Sequence, residues 1–212
     1  MNKNRINESL IIENQYFGNI DAYYNYTNYT NIIIEQFESY QKTSFRNRCI
    51  IAGPNGLVHL SVPIENGRNQ KCLIKEVKIA NRDRWQQQHW RTLVSCYGNA
   101  PFFEFYRDWI ELFYKKEFVW LFDMNLESLF WLKKVLAIKA EISLSENYSK
   151  EYTDTVSDSR NCHLPNNFQQ KELPFRYVQV FEDKIGFQAN LSILDLLFCE
   201  GPRAKQLLAS SN

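Results

Sequence analysis

Between Gln41 and Arg91 the chain carries ten basic side chains, Lys42, Arg46, Arg48, Arg68, Lys71, Lys75, Lys78, Arg82, Arg84 and Arg91. Only Glu65, Glu76 and Asp83 oppose them, a local balance of +7 that can face an anion. Read as a strand, residues 44–48 alternate, so Arg46 and Arg48 project from one face while Phe45, Asn47 and Cys49 take the other. Two guanidiniums side by side suit a phosphate or pyrophosphate, because each planar fork gives paired hydrogen bonds to oxygens, which a lysine cannot do. The same pattern also fits a solvated strand face paired with Glu35 or Glu38.

His89 follows Trp85 by one helical turn in Trp85-Gln-Gln-Gln-His89-Trp90. Aromatic surroundings lower an imidazole pKa and leave a neutral base at pH 7, although a lone histidine on an apolar helix face is more often structural. Cys96 lies about two turns further on and raises a cysteine/histidine nucleophile pair, against which small thiols are commonly buried. The Gln15-Tyr16-Phe17-Gly18-Asn19 turn sits between an expected strand and helix, where α/β sheets bind ligands and free helix amides meet anions.

The elements that must position these residues follow from periodicity. Apolar runs at 9–13 and 30–36 predict buried strands, and Tyr16, Ile20, Tyr23 and Tyr24 at helical spacing predict a helix between them, a unit that favours parallel pairing. Residues 45–52 and 57–64 flank Gly53-Pro54-Asn55-Gly56 and predict a hairpin. A strand is expected at 73–80, then a helix from Asn81 or Asp83 to Tyr97 with Trp85, His89, Leu93 and Cys96 on one face. A second helix should follow Pro101 with Phe102, Phe105, Trp109 and Phe113 apolar, and a third should run from Asp123 or Asn125 to about Ile138. Residues 145–174 read as a polar loop or lid, 176–181 as a strand, and 190–208 as a short helix that Gly201-Pro202 interrupts. The expected fold class is α/β: one domain over 1–212, a mixed sheet with a β-hairpin, flanked by helices.

Composition bounds the rest. In 212 residues, 44% hydrophobic and 23% charged content reads as a folded protein, and 32 aromatics beside 7 Gly and 6 Pro point to a ring-rich core. Net charge is +1 and the isoelectric point about 7.6, so no global field draws the molecule to nucleic acid. Five cysteines without a C-x-x-C pair and three histidines suggest neither a disulfide framework nor a metal site. The polar start, Met1 to Ser9, and the absence of an uncharged run near the ~18 residues of a spanning helix predict a cytoplasmic protein with no membrane span. Walker, G-x-S-x-G, H-E-x-x-H and EF-hand patterns are absent.

Taken in order, the motifs resemble the WbqC-like protein family of bacteria. The resemblance rests on Tyr16-Phe17-Gly18-Asn19-Ile20, on Glu35 with Glu38-Ser-Tyr40-Gln-Lys42-Thr-Ser-Phe-Arg46-Asn47-Arg48-Cys49-Ile50, and on Asn55-Gly56 with Leu60-Ser-Val-Pro63. It continues through Trp85 with His89-Trp90, Pro101-Phe102-Phe103-Glu104, and the segment from Leu191 to Phe198 with Gly201. Two features depart from the family pattern: longer relatives carry a further α/β stretch where this chain has 145–174, and many have a Phe-Pro turn where this one has Phe17-Gly18.

The resemblance implies transfer chemistry on a nucleotide- or carrier-linked sugar in surface-polysaccharide (O-antigen) assembly. Acyl or aminoacyl transfer is preferred over glycosyl transfer because no D-x-D metal motif is present. His89 and Asn47 are then the expected catalytic residues, one taking a proton and the other orienting a carbonyl or hydroxyl. Lys42, Arg46, Arg48, Tyr16, Gln15, Glu35 and Trp85 are the expected substrate residues. The cofactor is unknown, the expected partner is a phosphate-bearing or carrier-linked small molecule, and a homo-oligomer is left open. The alternative is a non-catalytic binding or assembly subunit.

Overall fold

In the computed structural model, residues 9–65, 72–153 and 155–209 are described. The polar start before Ser9, and Arg68 and Lys71 of the basic stripe, lie outside them.

The run SLIIE forms β1 (Ser9–Glu13), in which Leu10, Ile11 and Ile12 are all buried, as both faces of a parallel strand require. α1 (Ile20–Tyr26) follows and leads into β2 (Asn31–Glu35), which pairs parallel to β1 with Ser9 opposite Asn31 and Glu13 opposite Glu35. β3 (Arg48–Gly53) and β4 (Gly56–Ser61) form the antiparallel hairpin, a separate two-stranded sheet. Its two turn residues are Pro54 and Asn55, and Gly56 opens the return strand at φ 129°, a conformation that only glycine adopts without strain.

Three helices fill the middle: α2 (Trp85–Tyr97), α3 (Phe103–Lys115) and α4 (Leu121–Val135). The chain then returns to the first sheet. β5 (Glu141–Leu144) pairs with β2 and β6 (Val156–Asp158) pairs with β1, all parallel, in the order β5-β2-β1-β6. α5 (Glu182–Ile185), α6 (Ile193–Glu200) and α7 (Ala204–Ala209) complete the fold. One apolar cluster runs from Leu10 in β1 through all three middle helices to Leu208 in α7.

The α/β class, the β-α-β opening and the hairpin agree with the sequence reading, and several local expectations give way. Residues 73–80 hold a short 3-10 turn at Ile74–Glu76 and isolated bridges from Leu73, Lys78 and Ile79 to three different segments, so no continuous ladder forms. Residues 176–181 do alternate, with Val178 77% exposed between buried Tyr177 and Gln179, but side chains rather than a strand neighbour read that alternation. Tyr177 and Gln179 both donate to Asp195, at 2.7 and 3.2 Å, and Tyr97 donates to its other oxygen. The 145–174 segment is not wholly loop, since β6 lies within it. In α3 the buried face is Phe103, Tyr106, Ile110, Phe113 and Tyr114, and Phe105 stands 75% exposed.

Gly201 closes α6 at φ 52°, and a β-carbon there would lie 2.3 Å from the Phe102 ring. Gly201→Ala should therefore cost about 2–4 kcal/mol, the sum of a left-handed backbone penalty and overpacking, read as a lower urea midpoint at unchanged slope. A loss below about 0.5 kcal/mol would contradict this account of the helix end.

Candidate functional site

The sheet runs β1 to β2 to β5 in one direction and then returns to place β6 on the far side of β1. That reversal puts the topological switch point at the carboxyl ends of β1 and β6, the place where open α/β sheets bind ligands. Here the strand ends deliver charge. Glu13 closes β1 and Glu35 closes β2 at the same register, and Asp158 closes β6. Glu35 accepts from Phe37 N and Ser145 Oγ on one oxygen, at 2.8 and 2.7 Å, and meets Arg160 Nη1 at 3.1 Å on the other. Arg160 also holds Asp158 and lies between the rings of Tyr148 and Tyr152.

Arg46 is the largest fully buried side chain. Its Nε and Nη2 donate to the two oxygens of Glu38 at 2.7 and 2.5 Å, and Nη2 also donates to Asn161 Oδ1 at 2.9 Å. Nη1 is buried without a partner. Burial pushes the Glu38 carboxyl up; Arg46 pulls it back, Glu13 and Glu35 repel it further, and the net direction is upward. On β1, Glu13 accepts from Gln15 Nε2 at 2.7 Å and from Asn161 N at 2.8 Å.

A second polar group lies inside the aromatic core. Tyr16 Oη is hydrogen bonded to His89 Nδ1 at 3.0 Å and to Tyr114 Oη at 2.5 Å, and Trp85 packs edge-on against His89 with centroids 5.1 Å apart. Burial lowers the His89 pKa to about 4, the Ser61 backbone opposing slightly, so the ring is neutral at pH 7. Cys96 shares the buried face of α2, where burial pushes its thiol up, which disfavours a nucleophile.

The expected residues thus fall into groups. Gln15, Glu35 and Arg46 come together at the buried carboxyl edge of the sheet, while Tyr16, Trp85 and His89 come together in the core; the Gln15–Tyr16 peptide joins the two groups. The strand expected at 44–48 begins only at Arg48, so Arg46 and Arg48 do not share an exposed strand face. Arg46 points inward to Glu38, the carboxylate weighed as its partner, in a buried pair instead of a solvated one. Arg48 keeps partial exposure, and both guanidiniums pull down the pKa of Tyr40 against the larger effect of burial. Asn47 donates to the Val62 carbonyl at 2.9 Å, and Lys42 is exposed.

Glu13, Arg160 and Asn161 were not singled out from sequence. A signal existed: LIIEN and IIIEQ both end an apolar run in glutamate followed by an amide residue, a shared ending that fits two parallel strands delivering carboxylates to one edge. Arg82, Arg84 and Arg91 of the basic stripe instead line two open clefts on α2 of about 530 and 560 Å³, and Tyr114 lines the smaller one. Among the described residues no three His, Cys, Asp or Glu side chains converge to hold a metal ion, and no helix is long and apolar enough to cross a membrane.

Comparison with known proteins agrees with the motif reading. A family model described as the WbqC-like protein family matches residues 15–163. The uncharacterized protein Rv1507c of Mycobacterium tuberculosis is 29% identical over 207 aligned positions, which cover 83% of this chain and 86% of the relative. No solved structure matches.

Two predictions follow from the two polar groups. Arg46→Met should cost about 3–5 kcal/mol, because it strands Glu38 in the interior, and adding Glu38→Leu should recover part of that loss in urea unfolding. The folded pKa of His89 lies below the unfolded value of about 6.5, so its stabilisation is present above that pH and is lost as pH falls toward the folded value. Between about pH 7 and 4.5 the wild type should lose about 2 kcal/mol more than His89→Gln; equal losses would contradict a buried neutral ring.

Proposed function

The chain belongs to the WbqC-like protein family, and from that premise we propose that it is a cytoplasmic transferase of bacterial surface-polysaccharide assembly. In this reading it moves an acyl or aminoacyl group, in preference to a glycosyl group, onto a nucleotide- or carrier-linked sugar. The observation that carries the proposal is the charged set Glu13, Glu35, Glu38, Arg46 and Arg160, joined by the neutral Asn161, gathered at the carboxyl ends of parallel strands beside the point where strand order reverses. A stability core needs no such set, since apolar residues of the same volume are often as stabilising.

Roles divide by exposure. Arg48, with Lys42 at the surface, takes the phosphate of the substrate, and Arg46, already met by Glu38, orients the reacting end. Asn47 fixes the backbone between the two arginines through the Val62 carbonyl. His89 acts as a positioning residue: its Nδ1 is taken by Tyr16, so any influence on proton transfer runs through that hydroxyl.

One observation favours a second reading, a binding or assembly subunit of the same pathway. Phe105, Leu112 and Phe130 stand 75%, 65% and 50% exposed on α3 and α4, beside Trp109 and Trp131 stacked 3.9 Å apart, an apolar face suited to a protein partner or a second copy.

A thermal-shift screen of nucleotide sugars and acyl-carrier thioesters tests the first reading. A ligand at one hundred times its Kd adds about 2.7 kcal/mol, a rise of roughly 5–10 °C for a chain of this size. Phe105→Glu should leave that rise unchanged. No rise with either class, together with loss of complex formation in Phe105→Glu, would replace the transferase with the subunit.

A further inference from the structure

Exposed apolar side chains collect along two neighbouring helices. On α3, Phe105, Trp109 and Leu112 follow one another at helical spacing and share a face, and on α4 Glu127, Phe130, Trp131 and Lys134 do the same. The Trp109–Trp131 stack, 4° from parallel, joins the two rows, and a groove of about 640 Å³ runs along them. Trp109, Phe130, Trp131 and Val135 wall it together with Glu127 and Lys134. Phe105, Leu112 and Phe130 bare roughly 350 Å² of apolar surface, against the roughly 500 Å² of apolar area that each side of a standard homodimer buries. Half-buried Trp131 and Val135 make up much of the difference.

The charges on this face say what covers it. α3 and α4 run antiparallel, since Trp109 meets Trp131 while Lys116, seven residues on, bonds Glu127, four residues back. Each row carries one charge of each sign at its opposite ends: Asp108 and Lys116 lie evenly about Leu112, and Glu127 and Lys134 lie about Phe130. A second copy turned by a two-fold axis near Leu112 and Phe130 sets α3 antiparallel on α3 and α4 antiparallel on α4. Asp108 of each copy then meets Lys116 of the other, and Glu127 meets Lys134. Among the described residues neither Asp108 nor Lys134 has an ion pair within its own chain, which leaves both for this contact. Sign reversal from end to end is what an isologous contact requires, because one patch must complement itself. A net charge of +1 adds little repulsion between copies.

We propose that the α3–α4 face is a dimer interface, covered by a second copy of this chain. The dimer goes beyond both functional readings and depends on neither, since it concerns this face and not the carboxyl edge of the sheet.

Sedimentation velocity at about 50 µM, above the micromolar Kd at the weak end for interfaces of standard size, tests it on the wild type, which should run as a dimer. Phe130→Glu should run as a monomer. Asp108→Lys and Lys116→Asp each set like charges together twice across the axis, so each should weaken the dimer about tenfold or more. An equal mixture of those two variants restores both opposite-charge contacts and should associate as the wild type does. All three positions are exposed, so the variants should keep the wild-type far-UV circular dichroism. A wild type that stays monomeric overturns the proposal and leaves the face to a different protein, with both functional readings standing. A dimer that survives Phe130→Glu places the contact elsewhere and also overturns it. A mixture that fails to associate overturns the two-fold register.

Discussion

A guanidinium with no exposed surface survives in a protein interior only if its charge is met where it lies, and the carboxyl edge of this sheet is organised around meeting that of Arg46. Glu38, just beyond β2, takes two of its nitrogens, and Asn161, beyond β6, takes a further bond. The backbone carbonyl of Arg46 accepts from Asn125 Nδ2 in α4 at 2.8 Å. One residue thus fixes a strand end, a turn and a helix relative to each other. It also explains why β3 starts late: the chain must bend at 44–47 to bring Arg46 inward before extending from Arg48.

The aromatic core poses a related problem. Rings bury large apolar area, but each tyrosine carries a hydroxyl that is costly to bury unpaired. The fold solves this with small closed polar groups. Tyr16 and Tyr114 bond to each other and to His89, while Tyr97 and Tyr177 both donate to Asp195 in the first turn of α6. Burial pushes the Asp195 carboxyl up even with its three donors. Its place near a helix N-terminus adds a favourable dipole, and Ser192 caps the same end by accepting from Leu194 N. The polar atoms of the core therefore link elements distant in sequence, 98 positions apart for both Tyr16–Tyr114 and Tyr97–Asp195.

Much of this was legible without coordinates, for reasons that can be stated. The β-α-β opening showed because both strands are continuous apolar runs, and α2 showed because Trp85, His89, Leu93 and Cys96 repeat with the helix and are all buried. Period alone misled at 176–181, where inward Tyr177 and Gln179 bond to a carboxylate instead of lying in a ladder. β6 was hidden because Val156-Ser157-Asp158 has too little apolar character to announce a strand; its neighbour β1 supplies the reason to extend. At the site, residue types drew attention to Gln15, Glu35 and Arg46, which the structure brings to one edge, but charge counting alone could not separate an inward arginine from an outward one. Asn161 was out of reach because its bond to Glu13 comes from a backbone N–H, which every residue but proline possesses, and its side chain meets Arg46 from 115 positions away.

The five cysteines differ sharply in their surroundings: Cys49, Cys96 and Cys199 are buried, Cys72 is intermediate, and Cys162 is exposed. Cys162 follows Asn161 directly, so the accessible thiol stands on the turn that covers the carboxyl edge. A maleimide dye would attach there first in the native molecule, giving a fluorescent reporter of that cover already encoded in the unaltered chain.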